Sequence, residues 1–133
     1  MKKIASLFAL VLGLLAATSC QLIEVHSTYF YQVSIDESFV TMANKKSVGR
    51  GYNVVINEYL ETGMTNAAAT LSSPQAGYKE TFAAKEGSKK VKLLFYFGDS
   101  APKWYPNAIT LIKGETVKIT LDNNINFVDQ QPA

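Results

Sequence analysis

From Thr28 to Asp36, Tyr29, Tyr31, Val33 and Ile35 recur at every second position, the spacing that places all four on one face of a half-buried strand. The same alternation runs from Gly51 to Leu60, with Tyr52, Val54 and Ile56 set against Asn53, Val55, Asn57 and Tyr59; its β-branched residues favour a strand over a helix running from Val54 into Glu61. Tyr78 to Ala83 alternates over a shorter stretch. Val91, Leu93, Phe95 and Phe97 define an inner face while Leu94 and Tyr96 occupy the other, which predicts a central strand covered on both sides. Val117, Ile119 and Leu121 alternate with Thr116, Lys118, Thr120 and Asp122, a strand with one solvated face.

Between these runs the pattern is weaker. Residues 37–50 hold Phe39, Val40 and Met42 without a decisive period and stay unassigned. Residues 62–77 carry Ala67, Ala68 and Ala69 among Thr, Gly, Asn, Ser and Pro, and predict a surface crossover with a helical tendency that stops at Pro74. Glu86-Gly87-Ser88 signals a turn. Gly98 to Asn107 reads as a loop, and Ile109–Ile112 with Thr116–Asp122 reads as a hairpin about Lys113-Gly114-Glu115. Ile125 to Val128 adds a short last strand. Six to eight strands, Gly- and Asn-rich turns and no long helix predict an all-β fold, an antiparallel β-sandwich of immunoglobulin-like or transthyretin-like type, without the paired cysteines of true immunoglobulin domains.

The first 20 residues follow another logic. Lys2 and Lys3 precede an apolar run from Ile4 to Ala17 and then a small-residue site, the tripartite pattern of a secretory signal. The run is shorter than the about 20 apolar residues a spanning helix needs, and polar sequence follows at once. Residues 1–19 are therefore expected to be cleaved, residues 20–27 to form a tether, and residues 28–130 to make one domain.

Ala17-Thr18-Ser19-Cys20 resembles the lipobox of bacterial lipoproteins, departing from its commonest form in having Ala17 where leucine is usual. The resemblance implies that Cys20 is acylated, becomes the mature N-terminus and holds the protein to a membrane, since two or more buried chains give stable anchoring. Cys20 is the chain's one cysteine and stands where cleavage leaves it first, which favours acylation over the ordinary secretory cleavage that the same small residues would also suit. Gln21, rather than aspartate, follows it, so the resemblance implies the outer membrane of a Gram-negative bacterium. A short signal leading into a Tyr- and Asn-rich β domain is similar in style to lipoproteins abundant in the Bacteroidota.

Cleavage would change the charge. Losing Lys2 and Lys3 leaves 11 of the 13 basic residues against 11 acids, so no basic footprint remains and nucleic acid is not expected as a partner. The 114 residues left of 133 suffice for one core. Without a disulfide that core must carry the stability, and the Phe, Tyr and Trp residues supply its apolar area.

Catalytic chemistry is hard to assemble from these residues. His26 is the one histidine and lies within about 20 Å of the anchor even if fully extended, which makes it a tether residue. One cysteine and one histidine exclude the usual zinc, copper and haem ligand sets, and neither metal nor cofactor is expected. Gly49-Arg50-Gly51 lacks the rest of a phosphate loop. Asp36-Glu37 reads as a solvated turn. Asp122, Asn123, Asn124, Asn126 and Asp129 supply oxygen ligands but match no calcium-loop spacing.

The strongest candidate for ligand binding is the loop bearing Asp99, Lys103, Trp104 and Tyr105, because flat aromatics with neighbouring polar groups suit stacking on sugars or peptides. Trp104 folding back as a plug of the core is the competing expectation. Tyr29, Phe30 and Tyr31 near the anchor form a second aromatic group. The expected function is a non-enzymatic binding or assembly module of the cell envelope, with a protein or glycan partner; a structural accessory lipoprotein without its own ligand is the alternative, and an envelope glycan enzyme or inhibitor the third. Exposed Trp104 and Tyr105 beside a groove would favour binding. Burial of both beside a long free strand edge would favour assembly, and two carboxylates facing each other across a cleft would favour an enzyme.

Overall fold

A computed structural model describes residues 29–60, 63 and 65–133. The expected signal peptide (residues 1–19), Cys20, Gln21 and His26 lie outside the described residues. The elements in chain order are β1 (Phe30–Ile35), α1 (Glu37–Lys46), β2 (Tyr52–Leu60), β3 (Thr65–Ser72), β4 (Lys79–Ala83), β5 (Ser88–Phe97), β6 (Lys103–Trp104), β7 (Ile109–Thr110) and β8 (Thr116–Leu121).

Two sheets pack face to face as an all-β sandwich. One has three strands in the order β8-β1-β4; the other has five, in the order β3-β2-β5-β6 with β7 also on β5. Every pairing is antiparallel except β8 on β1, which is parallel from Thr116 beside Phe30 to Leu121 beside Ile35. The alternating residues meet as expected between the sheets. Tyr31, Val33 and Ile35 from β1 and Ile119 and Leu121 from β8 are buried, as are Val54, Ile56, Val91, Leu93 and Phe95 from the opposite layer.

The hairpin expected from Ile109 to Asp122 does not form. Its turn exists, with Gly114 at φ +80° and the Glu115 N–H donating to the Ile112 carbonyl. The flanking strands, however, go to different sheets: β7 joins β5 through Val91 and Lys90, and β8 crosses to β1. Local turn chemistry is compatible with both routes, and burial of Ile119 and Leu121 against the other layer selects the crossing.

Residues 62–77 likewise depart from expectation. The three alanines sit in β3, an eight-residue strand paired along β2, with the register slipping at Ala68. Alanine prefers helix by only a few tenths of a kcal/mol per residue over most others, which a ladder of backbone hydrogen bonds readily outweighs.

The unassigned stretch after β1 is the helix α1. Asp36 is its N-cap: the carboxylate accepts from the Ser38 N–H at 2.9 Å and from the Ser38 hydroxyl at 2.6 Å. Those two bonds hold the Asp36 carboxyl below the usual carboxylate range. Glu37 in the first turn and Lys45 and Lys46 in the last complement the helix dipole. Phe39 and Ala43, four apart, face inward, with the Phe39 ring 6.0 Å from Tyr52 and 5.8 Å from Phe95. Ile125 to Val128 contributes a single bridge, Val128 to Trp104, rather than a strand, while Phe127 packs edge-on against Phe95 at 5.0 Å and Phe97 at 5.4 Å.

Candidate functional site

The four residues chosen for ligand binding are separated by the fold. Trp104 lies on β6 rather than in a loop, exchanging backbone hydrogen bonds with Val128 at 2.8 and 3.0 Å. Its register partner is Leu94, which faces away from the core, so the indole shares the outer face of the five-stranded sheet and is half-buried there. Tyr105 follows directly and turns the other way: its N–H donates to the Leu93 carbonyl and its ring packs on the core. Neither aromatic can share a ligand with the other. Asp99 pairs with Arg50 and Lys103 with Asp129, both largely in solvent, where such pairs contribute at most about 1 kcal/mol. Tyr31 of the second aromatic group is core, stacked on Phe82 at 5.2 Å.

The acids are engaged separately. Asp36 caps α1, Asp122 accepts from the Asn124 N–H at 2.9 Å, Asp129 holds Lys103, and Glu80 accepts from the Tyr78 hydroxyl. Among the described residues no group of three His, Cys, Asp or Glu gathers to hold a metal ion. A broad open hollow runs along α1, lined by Asp36, Thr41, Met42, Lys45 and Asn123. Its lining mixes both charges and collects no nucleophile with a base.

A buried polar centre escaped the sequence reading. Glu58 is 2 % exposed and accepts from the Tyr31 hydroxyl at 2.7 Å, the Lys85 N–H at 2.8 Å and the Ser88 hydroxyl at 3.3 Å. The period-two pattern of β2 does point to it, since Glu58 continues the inward series Tyr52, Val54, Ile56. Ser88 reaches it because the register of β5 slips beside Leu60, so that Leu60 stands across from Ser88 and the serine turns inward. Burial first, and Glu58 second, push the Tyr31 hydroxyl well above the usual tyrosine range. The carboxylate thus joins the two sheets through donors from β1 and from the β4–β5 connection. It is enclosed in the core, which suits stability rather than turnover.

The remaining feature is an edge. No strand pairs with the outer side of β3 among the described residues. Its sequence, Thr-Asn-Ala-Ala-Ala-Thr-Leu-Ser, carries no charge and no proline over eight residues. The other edges are guarded: β8 exposes Lys118, β4 is five residues long with Lys79 and Glu80, and β6 and β7 have two residues each. The Ser73 N–H donates to the Tyr52 carbonyl. Alternation from that bond directs the backbone groups of Leu71 and Ala69 to β2 and those of Thr70 and Ser72 outward.

The fold and these sites define an all-β sandwich with an open strand edge. No protein-family model matches the chain, and comparison with curated proteins and with solved structures finds no match. Among the described residues no helix is long and apolar enough to cross a membrane.

Proposed function

We propose that this protein is a non-enzymatic assembly module of a bacterial cell envelope, carried at the outer membrane on a lipid attached to Cys20, which joins a partner by accepting the partner's strand along β3. The observation that supports this reading is the contrast between edges: one is long, uncharged and unpaired, and the others are short or bear charge. A free row of N–H and C=O groups is a template for strand addition, and natural proteins usually blunt such rows. Trp104 and Tyr105 are both half-buried and face opposite ways, which weighs against the loop as a competing surface.

Two variants test the reading in the full chain. Thr70→Pro removes an outward N–H that the fold does not use, and Thr70→Lys adds a charge to the edge. The acylated wild type, extracted in mild detergent, is expected to run as a complex; both variants should weaken it at least tenfold while keeping the thermal midpoint of the wild type. Cys20→Ser should move the protein to the soluble fraction and lower its intact mass by the acyl chains. A wild type that runs alone, or variants that keep the complex, overturns docking at β3. An unacylated wild type overturns the anchor.

A further inference from the structure

Among the described residues the outer face of the five-stranded sheet carries cations without acids. In register across β2 and β5, Asn53 stands beside Tyr96, Val55 beside Leu94, Asn57 beside Lys92, and Tyr59 beside Lys90; Trp104 extends the Leu94 row. Side chains paired in this way share a face. No aspartate or glutamate falls on that face among the described residues of β2, β3, β5 and β6.

Lys92 is the unusual member. It is 2 % exposed, yet among the described residues its ammonium meets no carboxylate or carbonyl, only the Tyr59 ring 3.8 Å from the centroid. Burial first and the charge of Lys90 second hold it below the usual lysine range. A covered ammonium needs acceptors for three N–H groups, and an aromatic face satisfies them only in part.

We propose that this face binds a carboxylate-bearing oligosaccharide, with the acidic group seated between Lys90 and Lys92 and the sugar rings lying along Tyr59 and the amides of Asn57 and Asn53. The anion meets Lys90 and draws the Lys92 ammonium from the ring, replacing a partial partner with a full one. Lys90 to Tyr96 covers about 20 Å of strand, which suits an oligomer rather than a single sugar. An anionic membrane is the less suited partner: lipid recognition usually takes 4–8 clustered cations, and two stand here. The site uses the side-chain face of β2 and β5 rather than the outer backbone edge of β3, and the proposal does not depend on docking there.

Titration calorimetry of the detergent-solubilised full chain tests this with oligogalacturonate, alginate oligomers, the methyl ester of the oligogalacturonate, and phosphatidylglycerol vesicles. A uronate oligomer should bind, its ester at least tenfold more weakly. Lys92→Met should lose at least tenfold in affinity for the acid while keeping both the thermal midpoint and the size of the detergent complex, and Lys92→Arg should retain binding. If Lys92→Met fails to fold, Lys90→Gln serves and should weaken binding in the same direction. Absence of uronate binding, equal binding of acid and ester, an unchanged affinity in the lysine variants, or binding to vesicles alone overturns the proposal.

Discussion

Glu58→Gln should lower the unfolding free energy by about 1–3 kcal/mol, and Glu58→Ala by roughly 3–5 kcal/mol. The carboxylate serves three donors from three parts of the chain: the Tyr31 hydroxyl, the Lys85 N–H and the Ser88 hydroxyl. Glutamine keeps the shape but offers one carbonyl oxygen, and its amide group meets a donor where the second oxygen stood. Alanine leaves all three donors without an acceptor and adds a void. Chemical denaturation of both variants beside Tyr31→Phe checks this, and the double variant Tyr31→Phe/Glu58→Gln should show a coupling on the order of 1 kcal/mol. Additive losses would mean that the Tyr31–Glu58 bond contributes little.

The same pair sets a pH dependence at the alkaline end. The Tyr31 hydroxyl is raised in the folded protein, so its neutral form is the one the fold favours. Its contribution is complete below the ordinary tyrosine value of about 10 and is lost as pH rises towards the raised value. Tyr78 behaves alike: burial, and then Glu80, push its hydroxyl up to about 12, so its contribution fades as pH rises from about 10 to about 12. Asp36 acts at the other end. Its depressed carboxyl contributes above the usual carboxylate range and ceases to as pH falls through its folded value.

Gly98→Ala should cost roughly 2–5 kcal/mol, a sum of two effects. Gly98 has φ +57°, which disfavours any side chain, and an added Cβ would stand 2.8 Å from the Ser47 carbonyl oxygen and 3.2 Å from the Ser47 Cα. Those atoms are backbone at the C-cap of α1, where Ser47 is itself buried, and they cannot swing aside as a flexible side chain would. Relief would require lifting the end of the helix from β5. Gly114→Ala provides the control, because its φ of +80° imposes a similar strain while nothing lies within 4 Å of the new methyl group. Equal losses in the two variants would contradict the close approach at Ser47.

Much of the sandwich follows from alternation, since a residue buried at every second position has few alternatives once one face is covered. Tyr31, Val33 and Ile35, and Leu93, Phe95 and Phe97, lie on the faces that their spacing predicts. The misses share a cause. Ile109–Ile112 and Thr116–Asp122 look like neighbours because a turn joins them, but pairing is decided by which sheet needs the strand, a long-range matter absent from local sequence. In α1 the informative marks were its ends, Asp36 with Ser38 and then Lys45 and Lys46, rather than the short apolar run between them. Ala67–Ala69 carried a helix preference too small to survive pairing with β2.

The candidate site was less legible. Trp104 and Tyr105 stand together in sequence, but on a strand adjacent side chains oppose each other, so a loop reading misplaced both at once. Glu58 was within reach, because extending the alternation of β2 by one step buries a carboxylate and asks what could satisfy it. The unpaired edge could not be read at all. Its isolation depends on strand order, which the pattern of β3 does not encode.

Hydrogen–deuterium exchange at β3, resolved to single residues, tests docking along this edge most directly. The full-length protein, expressed from its whole gene, would be compared in the membrane fraction that the proposed anchor predicts and after purification and dilution. Strand addition predicts that the outward amides of Thr70 and Ser72 exchange at least a hundredfold more slowly in the membrane than in the diluted protein, while Leu71, whose N–H is committed to β2, changes little. Equally fast exchange of Thr70 and Ser72 in both states would contradict the account.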